Sequence, residues 1–422
     1  MKTQVAIVGG GLAGLSCALR LQKAGIEWQL FEGADGLGGR VRTDVVDGFR
    51  MDRGFQVLLE AYPECQAVLD YESLDLRPFA PGAKVWVEGR LHTVADPLRA
   101  PLHLLDTVNA PVGSLMDKVR VLALRNRALK GSLADVFRQP ETSTRKALEQ
   151  IGFSRQMIES FFAPWLGGIF LNRELVTSSR MMDFVFRMMA SGNTVVPAKG
   201  MGEIPAQMAG FLNNAGAIHL NRPVASVASG QLTLADGEVV EAERIVVATE
   251  APAAARLVGA PTTSVPGVGV TCLYYALEDA PIEGPWLLLD GDRSGPVNNI
   301  AFMSQVSADY APAGQDLAAV TILDCNPSRE VETRKFVERQ LRRWFGGSAE
   351  SWRHLRTYHI PHAQPAQLPG FREERRGPAE VLPGVLVCGD HRETASINGA
   401  MRSGRQAAVM VAKELSREVA TV

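Results

Sequence analysis

The N-terminal residues combine a short apolar run, a helical pattern and a second apolar run. Residues 5–8 are uninterrupted apolar residues, typical of a parallel strand covered on both faces. From about Leu12 apolar residues recur at helical spacing, and Gly25 is placed to end that helix. Residues 28–31, apolar except for Gln29, form the second run and predict a second strand. The pattern predicts a β-α-β unit within a parallel sheet.

Further along the chain, strand and helix patterns alternate with turn residues. A hairpin is predicted at 84–92, turning at Glu88-Gly89, and another at 231–241, around Asp236-Gly237. Apolar runs predict separate strands at 245–249, 271–275, 319–323 and 385–388. Helical patterns cover much of 115–190 and also 328–345 and 398–415.

This order predicts an α/β protein with two domains, one of them discontinuous. A chain of 422 residues exceeds what one core normally supports. We expect a Rossmann-like cofactor domain assembled from 1–78, 195–261 and 375–422. The inserted segments 79–194 and 262–374 would form a mixed α+β substrate domain.

Composition narrows the classes of function. Forty-four basic and 46 acidic residues leave a net charge of −2, which offers no field for nucleic acid. Five scattered cysteines without a C-x-x-C pair favour buried thiols in a reducing cytoplasm over disulfides or a metal site. The chain has no apolar run long enough to span a membrane. We therefore expect a cytoplasmic enzyme with no metal.

A glycine motif follows the first predicted strand. Residues Gly9-Gly10-Gly11-Leu12-Ala13-Gly14 match G-x-G-x-x-G, and Glu32 ends the next strand at the spacing typical of dinucleotide sites. Gly9 permits the turn, Gly11 lets backbone approach a pyrophosphate, and Gly14 allows close packing of helix on strand. The helix N-terminus would face the phosphates, and Glu32 the adenosine ribose.

A second glycine pair distinguishes this site from a simple NAD site. Gly38 and Gly39 follow the second strand and can form another anion-binding turn, while Arg40 or Arg42 adds donors for a phosphate. A simple NAD domain has no need of this second turn.

These motifs resemble those of the flavin amine oxidase superfamily, which includes phytoene desaturases and protoporphyrinogen oxidases. Gly38, Gly39, Arg40 and Thr43 match its G-G-R-x-x-T segment, and residues 48–54 match G-x-x-x-D-x-G. The resemblance implies non-covalent FAD in a two-domain architecture of the glutathione-reductase or amine-oxidase type.

The C-terminal residues extend the resemblance. It implies that Asp390, after Gly389, holds the ribityl chain, and that the N–H groups of Asn398, Gly399 and Ala400 face the flavin pyrimidine. A helix N-terminus there would stabilise negative charge on reduced flavin. The resemblance also implies a backbone contact from Val224 to adenine.

The substrate side is less defined. The apolar segments 161–171 and 181–189 could line a tunnel, although buried core helices are the preferred interpretation. The basic helix 115–130 could contact an anionic membrane, although a solvated face is preferred. His391, beside Asp390, is a hypothetical proton acceptor. Cys388 lies in a strand, where a buried thiol is expected instead of covalent flavin attachment.

We expect an oxidoreductase that removes a hydride from a C–H bond of a small, apolar molecule, as desaturases do, with O₂ or a quinone as electron acceptor. Amine oxidation is the main alternative. A non-catalytic FAD-binding protein and an NAD-dependent dehydrogenase are alternatives from other classes.

Overall fold

The computed structural model describes residues 1–213, 215–259, 266–370 and 377–420. Its strands are β1 (Lys2–Val8), β2 (Trp28–Phe31), β3 (Thr43–Val46), β4 (Phe49–Asp52), β5 (Leu58–Leu59), β6 (Leu76–Pro78), β7 (Gly82–Val87), β8 (Arg90–Ala95), β9 (Thr194–Pro197), β10 (Ile218–His219), β11 (Val224–Ala228), β12 (Gln231–Leu234), β13 (Val239–Val247), β14 (Gly267–Leu277), β15 (Leu287–Asp290), β16 (Val297–Phe302), β17 (Asp316–Ile322), β18 (Arg353–Pro365), β19 (Ala379–Leu382) and β20 (Val385–Val387).

The helices account for most of the remaining regular structure. They are α1 (Leu12–Lys23), α2 (Pro63–Val68), α3 (Leu104–Asn109), α4 (Leu115–Ala128), α5 (Leu133–Val136), α6 (Thr144–Ile151), α7 (Arg155–Met157), α8 (Ala163–Phe170), α9 (Ser179–Ser191), α10 (Glu203–Gly210), α11 (Ala251–Val258), α12 (Met303–Val306), α13 (Glu330–Phe345) and α14 (Ile397–Ala420).

An eight-stranded sheet joins the two ends of the chain to its middle. Strands β10, β2, β1, β13 and β20 lie side by side and are parallel. Their residues are mostly buried, as expected for a parallel sheet covered on both faces. The predicted β-α-β unit is confirmed, with α1 ending before Gly25, whose φ is +70°.

One prediction in this sheet was wrong. The hairpin strand ending near Glu241 and the strand at 245–249 were expected to be separate, but β13 runs unbroken through both. The intervening residues contain no glycine or proline, so nothing interrupts the extended backbone. As a result β13 pairs with β12 at its start and with β20 at its end.

Helices α1 and α14 pack against this sheet with their backbones almost touching. A Cβ on Gly404 of α14 would lie 1.9 Å from the carbonyl oxygen of Ala13 in α1. The Ser16 hydroxyl donates to the carbonyl oxygen of Met401 at 2.8 Å. This crossing brings the C-terminal motif next to the N-terminal one.

A seven-stranded sheet, ordered β18-β14-β17-β16-β15-β7-β8, forms a second layer. Helix α13 covers it with Val337, Leu341 and Trp344. The hairpin of β7 and β8 is confirmed, with positive φ at Glu88 and Gly89. Strand β18 was not predicted, because this half-exposed edge strand carries arginines and histidines in place of alternating apolar residues.

Helices α3 to α9 form a helical insertion between strands β8 and β9. The predicted helical character of 115–190 is confirmed, with a π-helical turn at Ile158–Phe162. Within the described residues, no helix is both long enough and apolar enough to cross a membrane. The domain boundaries predicted at 261–262 and 374–375 lie outside or at the margin of the described residues, so the division into domains stays a prediction.

Candidate functional site

The first glycine turn lies between β1 and α1. Gly9 has a φ of +105°, where a side chain is strained, and its N–H donates to the carbonyl oxygen of Phe31 at 2.8 Å. A Cβ on Gly14 would lie 1.9 Å from the carbonyl oxygen of Gly9. By contrast, the nearest atom to a Cβ on Gly11 would be 4.0 Å away, the Cα of Gly39. Gly14 is therefore required for packing, whereas Gly11 borders open space.

The second glycine turn faces the first. Gly38 donates its N–H to the carbonyl oxygen of Gly10 at 2.9 Å, and Gly11 and Gly38 form an isolated β-bridge. Leu12 and Ala13 are buried in the first turn of α1. The two turns thus form a cradle of backbone without side chains, as an approaching pyrophosphate requires.

Glu32 occupies the expected place at the end of β2. Its two carboxylate oxygens accept hydrogen bonds from the N–H groups of Gly10, at 2.7 Å, and Ala34, at 2.8 Å. Each carboxylate oxygen has a second lone pair for a further donor. Arg222 donates its N–H to the carbonyl oxygen of Glu32 at 2.9 Å, which brings the start of β11, and hence Val224, close to this strand end.

Arg40 and Asp390 form an ion pair at 2.8 Å across 350 positions of sequence. Arg40 also donates to the carbonyl oxygen of Ala363 at 2.8 Å. Asp390 is only 6% exposed and follows Gly389, whose N–H donates to the Ser403 hydroxyl at 3.0 Å. The arginine expected to bind phosphate therefore also orients the carboxylate expected to hold the ribityl chain.

Two other predicted residues have partners within the protein. Arg42 pairs with Asp35 at 2.9 Å. Thr43 lies on β3, where its hydroxyl donates to Asp52 at 2.5 Å and accepts the N–H of Gly202 at 2.8 Å. Thr43 thus holds the segment after β9 against the β3–β4 hairpin.

The start of α14 is capped internally. Gly399 donates its N–H to the Ser396 hydroxyl at 3.0 Å, and Ala400 donates to the Ser396 carbonyl oxygen at 3.0 Å. The side-chain oxygen of Asn398 accepts the N–H of Glu64 at 3.0 Å. Two of the three N–H groups assigned to the flavin by resemblance therefore have partners inside the protein.

His391 is buried, and its ring packs against Gly389, where a Cβ would lie 2.8 Å from the imidazole. Its Nδ1 has no hydrogen-bond partner among the described residues. Burial lowers the pKa of His391 to about 4, although the neighbouring Asp390 acts in the opposite direction. The imidazole is therefore neutral at pH 7, but a weak base.

A small cavity, enclosing about 40 Å³, lies between helices α8 and α9 and the segment before α14. His391 is not among its lining residues. The lining consists of Tyr62, Ile169, Phe170, Thr177, Met181, Phe184, Val185, Gln364, Pro365, Gln367, Ala395 and Ser396.

Sequence reasoning missed the polar part of this lining. Tyr62 stacks on Phe184 with ring centroids 5.9 Å apart. The amide nitrogen of Gln364 donates to the carbonyl oxygen of Ile169 at 2.8 Å, and that of Gln367 to the carbonyl oxygen of Glu393 at 2.7 Å. No local motif marks these residues, because the cavity lining comes from four separate segments of the chain.

The apolar segments 161–171 and 181–189 lie mainly in the core and partly along the cavity. Most of their large side chains belong to the main hydrophobic core, as preferred. Ile169, Phe170, Met181, Phe184 and Val185 also line the cavity.

All five cysteines are free thiols, and all except Cys325 are buried. Burial raises the pKa of Cys388 to about 12, so this thiol is protonated and unreactive. In the described part of the chain, no three His, Cys, Asp or Glu side chains are grouped as metal ligands would be.

Comparison with known proteins shows which family this chain belongs to. A family model described as flavin-containing amine oxidoreductase matches residues 12–412. Protoporphyrinogen oxidase 2 of Arabidopsis thaliana is 26% identical over 170 residues, which are 39% of this chain and 32% of the relative. A phytoene desaturase of Fusarium fujikuroi is 33% identical over 92 residues, 20% of this chain and 16% of the relative. The chain thus matches a third or less of the length of these curated relatives.

Solved structures share the fold over nearly the whole chain. An oxidoreductase from Methanosarcina mazei aligns with a TM-score of 0.75 and 17% identity, covering 97% of this chain and all of that one. This chain therefore shares the mixed α/β fold of that oxidoreductase. Because the family model extends over nearly the entire sequence, this chain belongs to the family of flavin-containing amine oxidoreductases.

Proposed function

We propose that this protein binds FAD non-covalently and uses it to oxidise a small, apolar organic molecule. The observation that carries the proposal is the side-chain-free cradle between Gly11 and Gly39, with the Arg40–Asp390 pair beside it. A Cβ at Gly11 would occupy the space that a diphosphate needs, which supports the fit of a dinucleotide.

The diphosphate, the adenosine portion and the ribityl chain of FAD each have proposed contacts in this site. The cradle and the start of α1 would bind the diphosphate, and Glu32 and Val224 the adenosine portion. Asp390 would accept hydrogen bonds from the ribityl hydroxyls, with Arg40 holding its carboxylate in position. When bound, the flavin supplies the capacity to accept a hydride and pass electrons to O₂ or a quinone.

Non-covalent binding is supported by the state of the cysteines. Cys388 is the cysteine closest in sequence to Asp390, and it is fully buried with a raised pKa. A protonated thiol inside the sheet is a poor nucleophile for attachment to a ring. The same free, buried thiols support our proposal of a reducing, cytoplasmic location.

We also propose that the two large sheets mark two domains. Strands of the eight-stranded sheet come from both ends and the middle of the chain, and those of the seven-stranded sheet from the segments between them. This supports a Rossmann-like FAD domain made of 1–78, 195–261 and 375–422, with a substrate domain inserted twice.

The cavity favours a neutral, apolar substrate. No charged side chain belongs to its lining within the described residues. Its free space of about 40 Å³ is less than the volume that an organic substrate occupies. Entry would require movement of flexible lining side chains such as Met181 and Gln364. Apolar walls would exclude water, and the glutamine amides would orient a polar group of the substrate.

These features favour dehydrogenation of a C–H bond, as in a desaturase, over amine oxidation. A protonated amine would need a carboxylate or several acceptors near the cavity to offset its loss of hydration. Amine oxidation remains the second candidate because the family includes amine oxidoreductases.

The absorption spectrum of the purified protein tests the proposal first. We expect a flavin spectrum, and acid precipitation should release all of the flavin as FAD. Flavin that stays with the precipitate would contradict non-covalent binding, and a colourless protein that binds no added FAD would contradict the whole proposal.

Anaerobic substrate screening then separates the reactions. We expect polyenes or terpenoids to bleach the flavin, and the bleached protein to be reoxidised by a quinone or O₂. Bleaching by amines alone, with peroxide released on adding air, would assign amine oxidation. Flavin reduced by neither dithionite nor any substrate would indicate a non-catalytic binding protein.

A further inference from the structure

Exposed apolar side chains are concentrated on one short segment. Of eighteen large apolar residues exposed in the described chain, eight lie between positions 98 and 119. Leu102 is 94% exposed and Leu105 is 74% exposed. We refer to these eight as the apolar patch: Leu98, Leu102, Leu104, Leu105, Val108, Leu115, Met116 and Val119. A patch of this kind on a soluble surface usually marks an interaction site.

Polar and aromatic contacts keep the first half of the patch facing outward. Thr107 is the buried residue of α3, and its hydroxyl accepts the N–H of Ala95 on β8 at 3.0 Å. In the 3₁₀ turn at Pro101–His103, the ring of His103 meets Trp286 edge-on at 5.2 Å. With these groups turned toward the protein, the leucines around them face solvent.

The second half of the patch is the first turn of α4, which is held beside α3. Lys118 donates to the carbonyl oxygens of Val108 at 2.7 Å and Ala110 at 2.8 Å. The buried Asp117 and the Ser114 hydroxyl cap the helix. The patch residues of α4 and the α3 residues are therefore parts of one surface.

The charges around the patch are mainly positive. From 96 to 130 there are three acidic residues, and of these Asp117 is buried and Asp96 lies 3.7 Å from Arg125. The same stretch contains six basic residues, although the whole chain has a net charge of −2. Arg120, Arg125 and Arg127 are each paired with a carboxylate, which leaves three cations against the exposed Asp106. The basic residues are Arg99, Lys118, Arg120, Arg125, Arg127 and Lys130.

The exposed leucines and the basic residues together indicate what binds the apolar patch. Exposed leucines on short helices, flanked by lysine and arginine, are the features with which a protein inserts into the interface of an anionic lipid bilayer. We propose that the apolar patch docks this protein onto the surface of an anionic membrane. A second copy of this chain would bring the same positive charges together, which disfavours a symmetric dimer through the patch.

A single helix, α9, connects the apolar patch on α4 to the cavity. Arg127 of α4 pairs with Asp183 of α9 at 2.7 Å, and Arg187 of α9 donates to the carbonyl oxygen of Ala128 at 3.1 Å. Met181 and Val185, also on α9, line the cavity. If the proposed function holds, on which this step rests, an apolar substrate reaches the cavity from the bilayer past α4 and α9.

Flotation with lipid vesicles tests the docking with the whole protein. One set of vesicles is phosphatidylcholine, and the other contains equal parts of phosphatidylcholine and phosphatidylglycerol. We expect the protein to float with the anionic vesicles and less at high salt. Leu102→Ser with Leu105→Ser should lower the partition coefficient at least about tenfold, since each buried leucine contributes that much or more.

A matched variant controls for the loss of apolar surface elsewhere. Val331 and Phe336 on α13 are 59% and 44% exposed and lie outside the patch. Val331→Ser with Phe336→Ser should float like the unmodified protein. Because all four positions are exposed, every variant should keep its near-UV circular dichroism and flavin content.

Three outcomes would overturn the docking proposal. The protein could fail to float with anionic vesicles, or the patch variant could float as well as the control variant. Light scattering could also reveal a dimer that the patch substitutions dissociate without any vesicle binding, which would assign the surface to self-association. Vesicle binding without bleaching by any apolar substrate would keep the docking and reject only the substrate route.

Discussion

Replacing single glycines with alanine separates flavin binding from packing. Gly11 has an ordinary φ of −73°, and a Cβ there would have no atom nearer than 4.0 Å. A Cβ on Gly14 would lie 1.9 Å from the Gly9 carbonyl oxygen, whereas real contacts of this kind are rarely below 3.0 Å. The two substitutions should therefore affect different properties.

The magnitudes follow from these contacts. Gly11→Ala should change the free energy of unfolding of the flavin-free protein by no more than about 1 kcal/mol, because the weaker helix cap is offset by lower entropy of the unfolded chain. Gly14→Ala must move backbone by about an ångström and should cost about 3 kcal/mol or more. The Cβ added by Gly11→Ala should cost the diphosphate one or two N–H contacts. Flavin binding by this variant should therefore weaken about tenfold to a hundredfold.

Two measurements on the same preparations decide the matter. Urea unfolding of the flavin-free proteins reports stability, and quenching of FAD fluorescence reports affinity. Gly210→Ala is the control, since a Cβ there would contact nothing within 4 Å and the site lies at the end of α10. If Gly11→Ala binds FAD as tightly as the unmodified protein, or is destabilised as much as Gly14→Ala, the cradle is assigned incorrectly.

Three further substitutions test charged groups. Burial raises the pKa of Asp52 from 3.8 to about 6, although three hydrogen bonds act to lower it. The stabilisation from protonated Asp52 is therefore complete below pH 3.8 and is lost as the pH rises through 6. In unfolding experiments across this pH range, the unmodified protein should lose about 3 kcal/mol of stability relative to Asp52→Asn. Asp117→Ala removes a carboxylate that caps two helices through Ser114 and Ser154 and should cost about 3 kcal/mol in urea unfolding; a cost below about 1 kcal/mol would contradict this. Arg40→Ala should weaken FAD binding at least about tenfold in fluorescence titration, while equal affinity would remove Arg40 from the site.

Local signals explain which parts of the fold were predictable. Residues 5–8 of β1 are apolar and end at Gly9, and the apolar strand β20 begins after Gly384, so pattern alone located both strands. The turn at Glu88-Gly89 has positive φ at both positions, which few residue pairs adopt readily. Such features depend on neighbouring residues and are therefore visible in the sequence.

Strands whose stability depends on distant partners were not predicted. Strand β18 pairs with β14 along most of its length, and this pairing compensates for its polar composition. The continuity of β13 likewise depends on β1, which spans both of its halves.

Some residues of the site were likewise predictable from the sequence, whereas their contacts were not. The sequence by itself determined the glycines of the cradle, because tight turns and close backbone approach restrict residue type locally. Only the tertiary structure decided that Arg40 meets Asp390 and that Tyr62 and Gln367 share one cavity. Such contacts depend on the crossing of α1 and α14 and on the packing of the helical insertion, and residues far apart in sequence carry no local signal of that geometry.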